Sequence, residues 1–177
     1  MSILFVLTSH TTLGDTGKET GLWLEEFLAP YYSFVDAGLP VRLCSPLGGN
    51  APVDPASVET LKGNPLYQRY QSDRILAERM NGTAKLSSVS ASDISALVYP
   101  GGHGPLWDLA ESDTSITLIE SFERAGKPIG FVCHAPGVLR HVKASDGKPL
   151  VEGKQVTGFT NTEEEGVGLT QVVPFLV

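Results

Sequence analysis

Four short, predominantly apolar runs most constrain how this 177-residue chain can fold. They lie at residues 2–8, 41–45, 96–99 and 129–132. An apolar run without polar alternation is typical of a strand covered on both faces, as in a parallel sheet. Parallel strands need crossover connections, and the intervals between these runs are long enough to supply them. The pattern predicts a single α/β domain with a doubly wound, mainly parallel, flavodoxin-like sheet flanked by helices.

The intervals between the runs contain helical patterns. Thr20 is predicted to cap the first helix, and Pro30 is expected to bend or interrupt it. Further helices are predicted at residues 66–80 and 115–125, and the acidic run 163–165 is expected to open a last short helix.

Two segments depart from the strand–helix alternation. Residues 48–92 are rich in Pro, Gly, Asn and Ser, and we interpret them as a small insertion packed over one edge of the sheet. The alternation of Val, Leu and Gln around a Glu-Gly pair predicts a β-hairpin near residues 148–158.

Charge, hydropathy and cysteine content indicate which partners and which location to expect. The chain has 13 Lys and Arg against 20 Asp and Glu, a net charge of -7, so it lacks the basic surplus that nucleic-acid binding requires. No run approaches the ~18 apolar residues of a membrane span, and no membrane partner is expected. Two cysteines and no recognisable signal peptide predict a reducing, cytoplasmic location.

The sharpest local feature is the segment Cys133-His-Ala-Pro136, which directly follows an apolar strand. A nucleophile at a strand-to-helix junction sits on a strained turn, and the first helical N–H groups lie where an oxyanion forms. A helix N-terminus also lowers a thiol pKa. A cysteine at the end of a buried strand is more often an inert core residue, but His134 beside it favours a nucleophile.

A second turn, Tyr99-Pro-Gly-Gly-His-Gly104, follows the neighbouring strand. Paired glycines at the carboxyl end of a parallel strand allow backbone N–H groups to approach a ligand closely. Alone, such a pair is equally compatible with a plain turn. The chain contains neither of the glycine-rich phosphate-binding motifs, Gly-x-x-x-x-Gly-Lys-Ser/Thr or Gly-x-Gly-x-x-Gly.

These segments, with three others, resemble the ThiJ/PfpI superfamily of class I glutamine amidotransferase-like domains. The similarity is greatest to its glyoxalase III and heat-shock-protein-31-like branch. The other matching segments are Thr20-Gly-Leu-Trp-Leu-Glu-Glu-Phe-Leu-Ala-Pro30, Cys44-Ser-Pro-Leu-Gly-Gly49 with Asp54-Pro55, and Gly147-Lys-Pro-Leu-Val-Glu-Gly-Lys-Gln-Val-Thr-Gly-Phe-Thr-Asn161. Together they span nearly the whole chain.

The resemblance implies a set of catalytic residues. It makes Cys133 the nucleophile and His134 its acid/base partner. The family's buried carboxylate beside the thiol corresponds to Glu26, although helical periodicity alone does not choose between it and Glu25. The third triad member falls within residues 163–165, where spacing favours Glu164 over Glu165.

The resemblance also implies how an oxyanion and the substrate are held. The oxyanion donors are expected to be the backbone N–H groups of Gly102 and of His134 or Ala135, and His103 is expected to line the pocket. The other histidines, Cys44 and the two tryptophans are interpreted as packing or hydrogen-bonding residues. No His, Cys and Asp spacing matches a metal site, so no metal and no cofactor are predicted.

The function implied is cofactor-independent conversion of a small reactive aldehyde, methylglyoxal, to D-lactate by a lyase of the glyoxalase III or D-lactate dehydratase type. A stress-related holdase chaperone, a protein deglycase and a cysteine peptidase or amidase are the alternatives. The resemblance further implies a homodimer. It also implies that residues 1–177 form one domain lacking the C-terminal segment with which similar proteins continue.

Overall fold

A parallel five-stranded sheet forms the centre of the protein. The computed structural model describes residues 2–177. The strands are β1 (Ser2–Val6), β2 (Val41–Ser45), β3 (Ala84–Lys85), β4 (Ile94–Tyr99) and β5 (Ile129–Phe131), in the order β3-β2-β1-β4-β5 with every pairing parallel. This confirms the predicted α/β sheet. Because β1 pairs with β2 on one side and β4 on the other, the chain reverses direction across the sheet here, and ligands bind at the strands' carboxyl ends beside such a point.

The helices cover both faces of this sheet. They are α1 (Leu24–Asp36), α2 (Pro55–Leu61), α3 (Pro65–Ser72), α4 (Arg74–Asn81), α5 (Asp113–Arg124) and α6 (Asn161–Gly166), with 3₁₀ turns at Leu86–Ser88, Ala91–Asp93, Gly104–Leu106 and Ala135–Leu139. None of the helices within residues 2–177 has the length and apolar composition needed to span a bilayer.

Side chains that alternate along the strands pack into two hydrophobic cores, one on each face of the sheet. On one face, the fully buried Phe5 meets Phe27 of α1 edge-on, with ring centroids 5.6 Å apart. On the other, Leu97 and Tyr99 pack against Phe122 of α5. Each such side chain contributes roughly 1.5–3 kcal/mol when fully buried. The cores hold α1 and α5 against the sheet and leave its carboxyl edge for polar groups.

The first helix differs from the sequence prediction at its start. Thr20 is buried and donates its hydroxyl hydrogen to Asp54 at 2.9 Å, so it does not cap the helix. The helix begins at Leu24 instead, whose N–H donates to Ser57 Oγ at 3.1 Å. Pro30 lies within the helix without ending it. The later start places Glu26 in the first turn, near the carboxyl edge of the sheet.

The predicted insertion holds more structure than its composition suggested. The helix expected at residues 66–80 is divided into α3 and α4 at Asp73, whose carboxylate accepts from the N–H of Leu76 at 2.9 Å and so caps α4. The insertion also contributes β3, which pairs with β2 at the edge of the sheet.

The predicted β-hairpin near residues 148–158 is wrong. This segment forms turns, including one from the N–H of Lys154 to Val151 O at 3.0 Å, and its one bridge joins Pro149 to Lys143. Val156 is 62% exposed. A two-stranded hairpin needs a third strand or a helix to bury its apolar side, and since no element covers Val156, alternation alone does not produce a ladder.

Candidate active site

Cys133 occupies a strained turn directly after β5. Its φ is 58°, and within residues 2–177 it is the one non-glycine residue in the left-handed region. Such a conformation costs of order 1–3 kcal/mol and persists where the surrounding structure imposes it. Two backbone bonds hold this turn: the N–H of Val132 donates to Tyr99 O at 3.1 Å, and that of Phe159 donates to Cys133 O at 2.7 Å. The strained turn expected at the strand-to-helix junction is therefore present.

A chain of hydrogen bonds runs from the thiol into the protein. Cys133 Sγ lies 3.3 Å from His134 Nδ1, and His134 Nε2 lies 2.8 Å from Glu164 Oε2. His134 and Glu164 are each only 2% exposed. The order thiol, imidazole, carboxylate is that of a catalytic triad, in which the carboxylate orients the imidazole and the imidazole accepts the nucleophile's proton.

The choice between Glu164 and Glu165 depends on the short helix α6. A capping box at its start holds Glu163, whose carboxylate accepts from the N–H of Thr160 at 2.8 Å. Successive helical residues point about 100° apart, so Glu164 turns inward onto His134 while Glu165 faces solvent. The structure brings Glu164, not Glu165, to His134.

Glu26 meets the thiol from the opposite element, α1. Its carboxyl lies beside Cys133 and Gly101, and burial raises its pKa from 4.5 to about 7. Among the described residues, its Oε2 has no hydrogen-bond partner. Glu25 is exposed. The structure thus brings Glu26 rather than Glu25 to the sulfur, as an acid that can exchange a proton near neutral pH.

The thiol itself behaves differently from the sequence expectation of a low pKa. Burial raises the pKa of Cys133, and the adjacent Glu26 raises it further. The following 3₁₀ turn has only five residues, Ala135–Leu139, so few aligned peptide dipoles oppose these effects. The expectation of an abundant thiolate is wrong for this site. Cys133 and Glu26 titrate as a coupled pair, because a negative charge on one disfavours a negative charge on the other. The thiolate of Cys133 is therefore favoured when Glu26 holds a proton.

Two backbone N–H groups, those of Gly102 and His134, point at the sulfur and favour its ionised form. Gly102 has φ 88°, and a Cβ there would overlap Gly21 O and Trp23 N, so only glycine permits this approach. Ala135 does not supply the second donor, because its N–H already donates to Val132 O at 2.9 Å. Of the two residues predicted from the sequence as the second oxyanion donor, His134 and Ala135, the structure therefore excludes Ala135 and leaves His134.

His103 lies inside the network, 7% exposed, with Nε2 3.0 Å from Glu164 Oε1. His103, His134 and Glu164 offer three ligand atoms within 4.8 Å of one another, the one such cluster found in residues 2–177. In this structure both imidazole Nε2 atoms are hydrogen-bonded to the carboxylate. The predicted absence of a metal stays a prediction.

Sequence reasoning missed two contributors to the site. Phe159 stacks on His134, with ring centroids 4.2 Å apart. Gly101 lies against Glu26 and Cys133, and a Cβ there would overlap both. Both lie in segments already singled out, but only the folded chain shows which atoms they meet.

The other side chains interpreted as packing or hydrogen-bonding residues match that interpretation. Cys44 is fully buried, and burial raises its pKa to about 12. His141 lies at the surface, where its Nε2 is 3.2 Å from Glu111. Both cysteines are free.

The chain is similar to a known protein family and to several named proteins. The model of the DJ-1/PfpI family matches residues 19–170. Glyoxalase 3 of Candida albicans is 27% identical over 98% of the chain and 75% of its own length. The glutathione-independent glyoxalase hsp3102 of Schizosaccharomyces pombe is 30% identical over 86% of the chain, which spans 65% of that relative. The structure of the Rapid Encystment Protein 24 KDa of Francisella tularensis, 35% identical, superposes with a TM-score of 0.93 over 100% of the chain and 78% of its own.

Proposed function

The chain belongs to the DJ-1/PfpI family, and from this membership and the geometry of the site we propose that it is a cofactor-independent glyoxalase. Its substrate is a small reactive aldehyde, methylglyoxal, and its product is D-lactate. The names of the two glyoxalase relatives support this assignment. We further propose a homodimer in a reducing, cytoplasmic setting, in keeping with the resemblance and with two free cysteines.

One observation carries the proposal: the half-buried carboxyl of Glu26, with a pKa of about 7 and an unpartnered oxygen, lies beside the thiol of Cys133. A peptidase or amidase needs a nucleophile, a base and oxyanion donors. Converting an aldehyde and its neighbouring ketone into a hydroxy acid also requires a proton to move between adjacent carbons. Glu26 is placed to carry that proton.

The reaction begins when His134 Nδ1 accepts the proton of the Cys133 thiol. The sulfur then adds to the aldehyde carbon and forms a hemithioacetal, with no leaving group. The N–H groups of Gly102 and His134, which face the sulfur, can stabilise negative charge on the oxygen of that carbon.

The proton transfer follows. In its ionised form Glu26 removes the hydrogen of the former aldehyde carbon, giving an enediolate. The same carboxyl returns the proton to the neighbouring carbon, His134 gives the proton it took from the thiol to the oxygen of that carbon, and the first oxygen becomes a carbonyl, so the product is a thioester of lactate. Water, activated by His134, cleaves the thioester, releases lactate and restores the thiol. The net change is addition of one water to methylglyoxal.

A D-lactate assay on methylglyoxal in glutathione-free buffer tests the proposal. The purified protein should form D-lactate, Cys133→Ser should lose the activity, and the matched control Cys44→Ser should retain it because Cys44 is buried away from the site. Absence of D-lactate, with Cys133-dependent cleavage of peptides or amides, would establish a hydrolase instead. Suppression of client aggregation that persists in Cys133→Ser, without turnover, would favour the holdase alternative.

A further inference from the structure

The carboxylate of Glu164 is held by two histidines, not one. Oε2 lies 2.8 Å from His134 Nε2, and Oε1 lies 3.0 Å from His103 Nε2. All three side chains are buried, with 7% of His103 and 2% of each of the others exposed. A triad needs only the first of these contacts, so the second requires an explanation.

The positions of the protons follow from the chemistry of a carboxylate, which only accepts hydrogen bonds. Each Nε2 that contacts Glu164 therefore carries a hydrogen and donates it. For His134 this leaves Nδ1 without a hydrogen, as an acceptor 3.3 Å from Cys133 Sγ. The tautomer that can deprotonate the thiol thus depends on where Glu164 holds its oxygens.

With His134 alone, the carboxylate could turn about its side-chain bonds, because within residues 2–177 the carboxylate oxygens of Glu164 form hydrogen bonds only with His134 and His103. The second donor removes that freedom. His103 is itself fixed, since it follows the Gly101-Gly102 turn and its ring centroid is 4.1 Å from that of His134. The turn that contains Gly102 and His103 therefore provides both an oxyanion donor, the N–H of Gly102, and a hydrogen bond from His103 to the carboxylate of Glu164.

We propose that His103 is a positioning residue, which fixes Glu164 by its Nε2–H bond and thereby sets the tautomer and orientation of His134. This inference rests on the proposed function only where turnover is measured. It replaces the substrate-contacting role predicted for His103 from the sequence, because the Nε2 group is committed to Glu164.

The charges around His134 agree with this role. Burial is the main cause that lowers its pKa, to about 4, and repulsion from the neighbouring His103 adds to this lowering; Glu164 and the more distant Glu163 act in the opposite direction. Cys133 faces Nδ1. His134 is therefore uncharged at neutral pH and available as a base.

The test compares three variants. His103→Gln places an amide N–H near the position of Nε2 and keeps the bond to Glu164, whereas His103→Leu removes it. His141→Gln is the matched control, because that histidine also contacts a glutamate but lies at the surface. Where His103→Leu fails to fold, His103→Asn, whose amide is too short to replace Nε2, provides the same comparison.

Two readouts separate the inference from the proposed function. The first is the rate of Cys133 alkylation by iodoacetamide across pH, followed by peptide mass mapping, which needs no turnover. The second is kcat and KM for D-lactate formation. Misplacing a catalytic group by about 1 Å can cost on the order of 10²-fold, so we expect His103→Leu to slow alkylation at pH 7 and to lower kcat by about 10- to 100-fold with KM little changed. His103→Gln should recover most of both.

Other outcomes overturn the inference. A raised KM with unchanged alkylation in His103→Leu would mean that His103 contacts the substrate. Equal damage in folded His103→Gln and His103→Leu would mean that the hydrogen bond is not what matters. If the wild-type protein forms no D-lactate while alkylation follows the expected order, the proposed function fails and the positioning role stands.

Discussion

Replacing Glu26 with glutamine removes one titrating carboxyl and leaves a side chain of nearly the same shape. In the wild-type protein this carboxyl contacts the Cys133 thiol and the N–H of Gly101, and burial raises its pKa from 4.5 to about 7. An unfolded chain has no such burial, so its Glu26 ionises near pH 4.5. The difference between the two states makes folding stability depend on pH.

The sign and size of this dependence follow from the pKa values. A group whose folded pKa is raised contributes stability that is complete below the unfolded pKa and is lost as the pH rises through the folded pKa. For Glu26 the loss falls between about pH 4.5 and pH 7, and at 1.36 kcal/mol for each pH unit it amounts to about 3 kcal/mol. Glutamine does not titrate, so Glu26→Gln should gain about 3 kcal/mol relative to wild type between pH 4 and pH 8.

Urea unfolding of both proteins at pH 4, 6 and 8 measures this difference. Groups that do not contact Glu26 titrate in both proteins, so their contributions cancel in the comparison. Glu25→Gln is the matched control, because Glu25 is exposed on the same turn of α1 and its replacement should leave the pH dependence unchanged. The same pH dependence in Glu26→Gln, Glu25→Gln and wild type would refute the assignment of a buried, protonated carboxyl beside the thiol.

The same pair of variants tests the role of Glu26 in turnover. General acid–base catalysis contributes typically 10²–10⁴-fold, so Glu26→Gln should lower D-lactate formation by about 10²-fold or more. Glu25→Gln should have little effect. The reverse pattern would mean that the register of the family match is displaced by one residue.

Two further predictions concern the neighbourhood of the thiol. Gly101→Ala should abolish D-lactate formation, because its Cβ would overlap Glu26 and Cys133, whereas Gly166→Ala, where a Cβ meets nothing within 4 Å, should not; full activity in Gly101→Ala would contradict the observed packing. Mild peroxide followed by peptide mass mapping should place oxygen on Cys133 before Cys44, because Cys44 is fully buried whereas Cys133 is partly exposed; equal oxidation of the two would show that exposure does not control reactivity here.

Several features could be predicted from local sequence because local sequence causes them. Apolar runs without alternation must be covered on both faces, which predicts the parallel sheet. A cysteine directly after such a run lies at the carboxyl edge whatever the other elements do, so Cys133 could be recognised early. Paired glycines mark a close backbone approach, and the φ of 88° at Gly102 is such a case.

Other features depended on which elements meet. Residues 148–158 have an alternating pattern, yet no element covers them, so no ladder forms. Ala135 could be an oxyanion donor until its N–H was found bonded to Val132 O. The thiol pKa was expected to be low from a helix terminus, but burial and a carboxyl from another element raise it.

The sequence by itself determined the fold class, the strained turn at Cys133 and the adjacent His134, because these depend on the order of residues along one strand and one turn. Only the tertiary structure decided which groups surround Glu26, Glu164 and His103. Glu26, Glu164 and His103 lie on separate elements, more than 60 positions apart along the chain. Their protonation and partners depend on distances of about 3 Å and on burial. Both quantities arise only when the helices close over the carboxyl edge of the sheet.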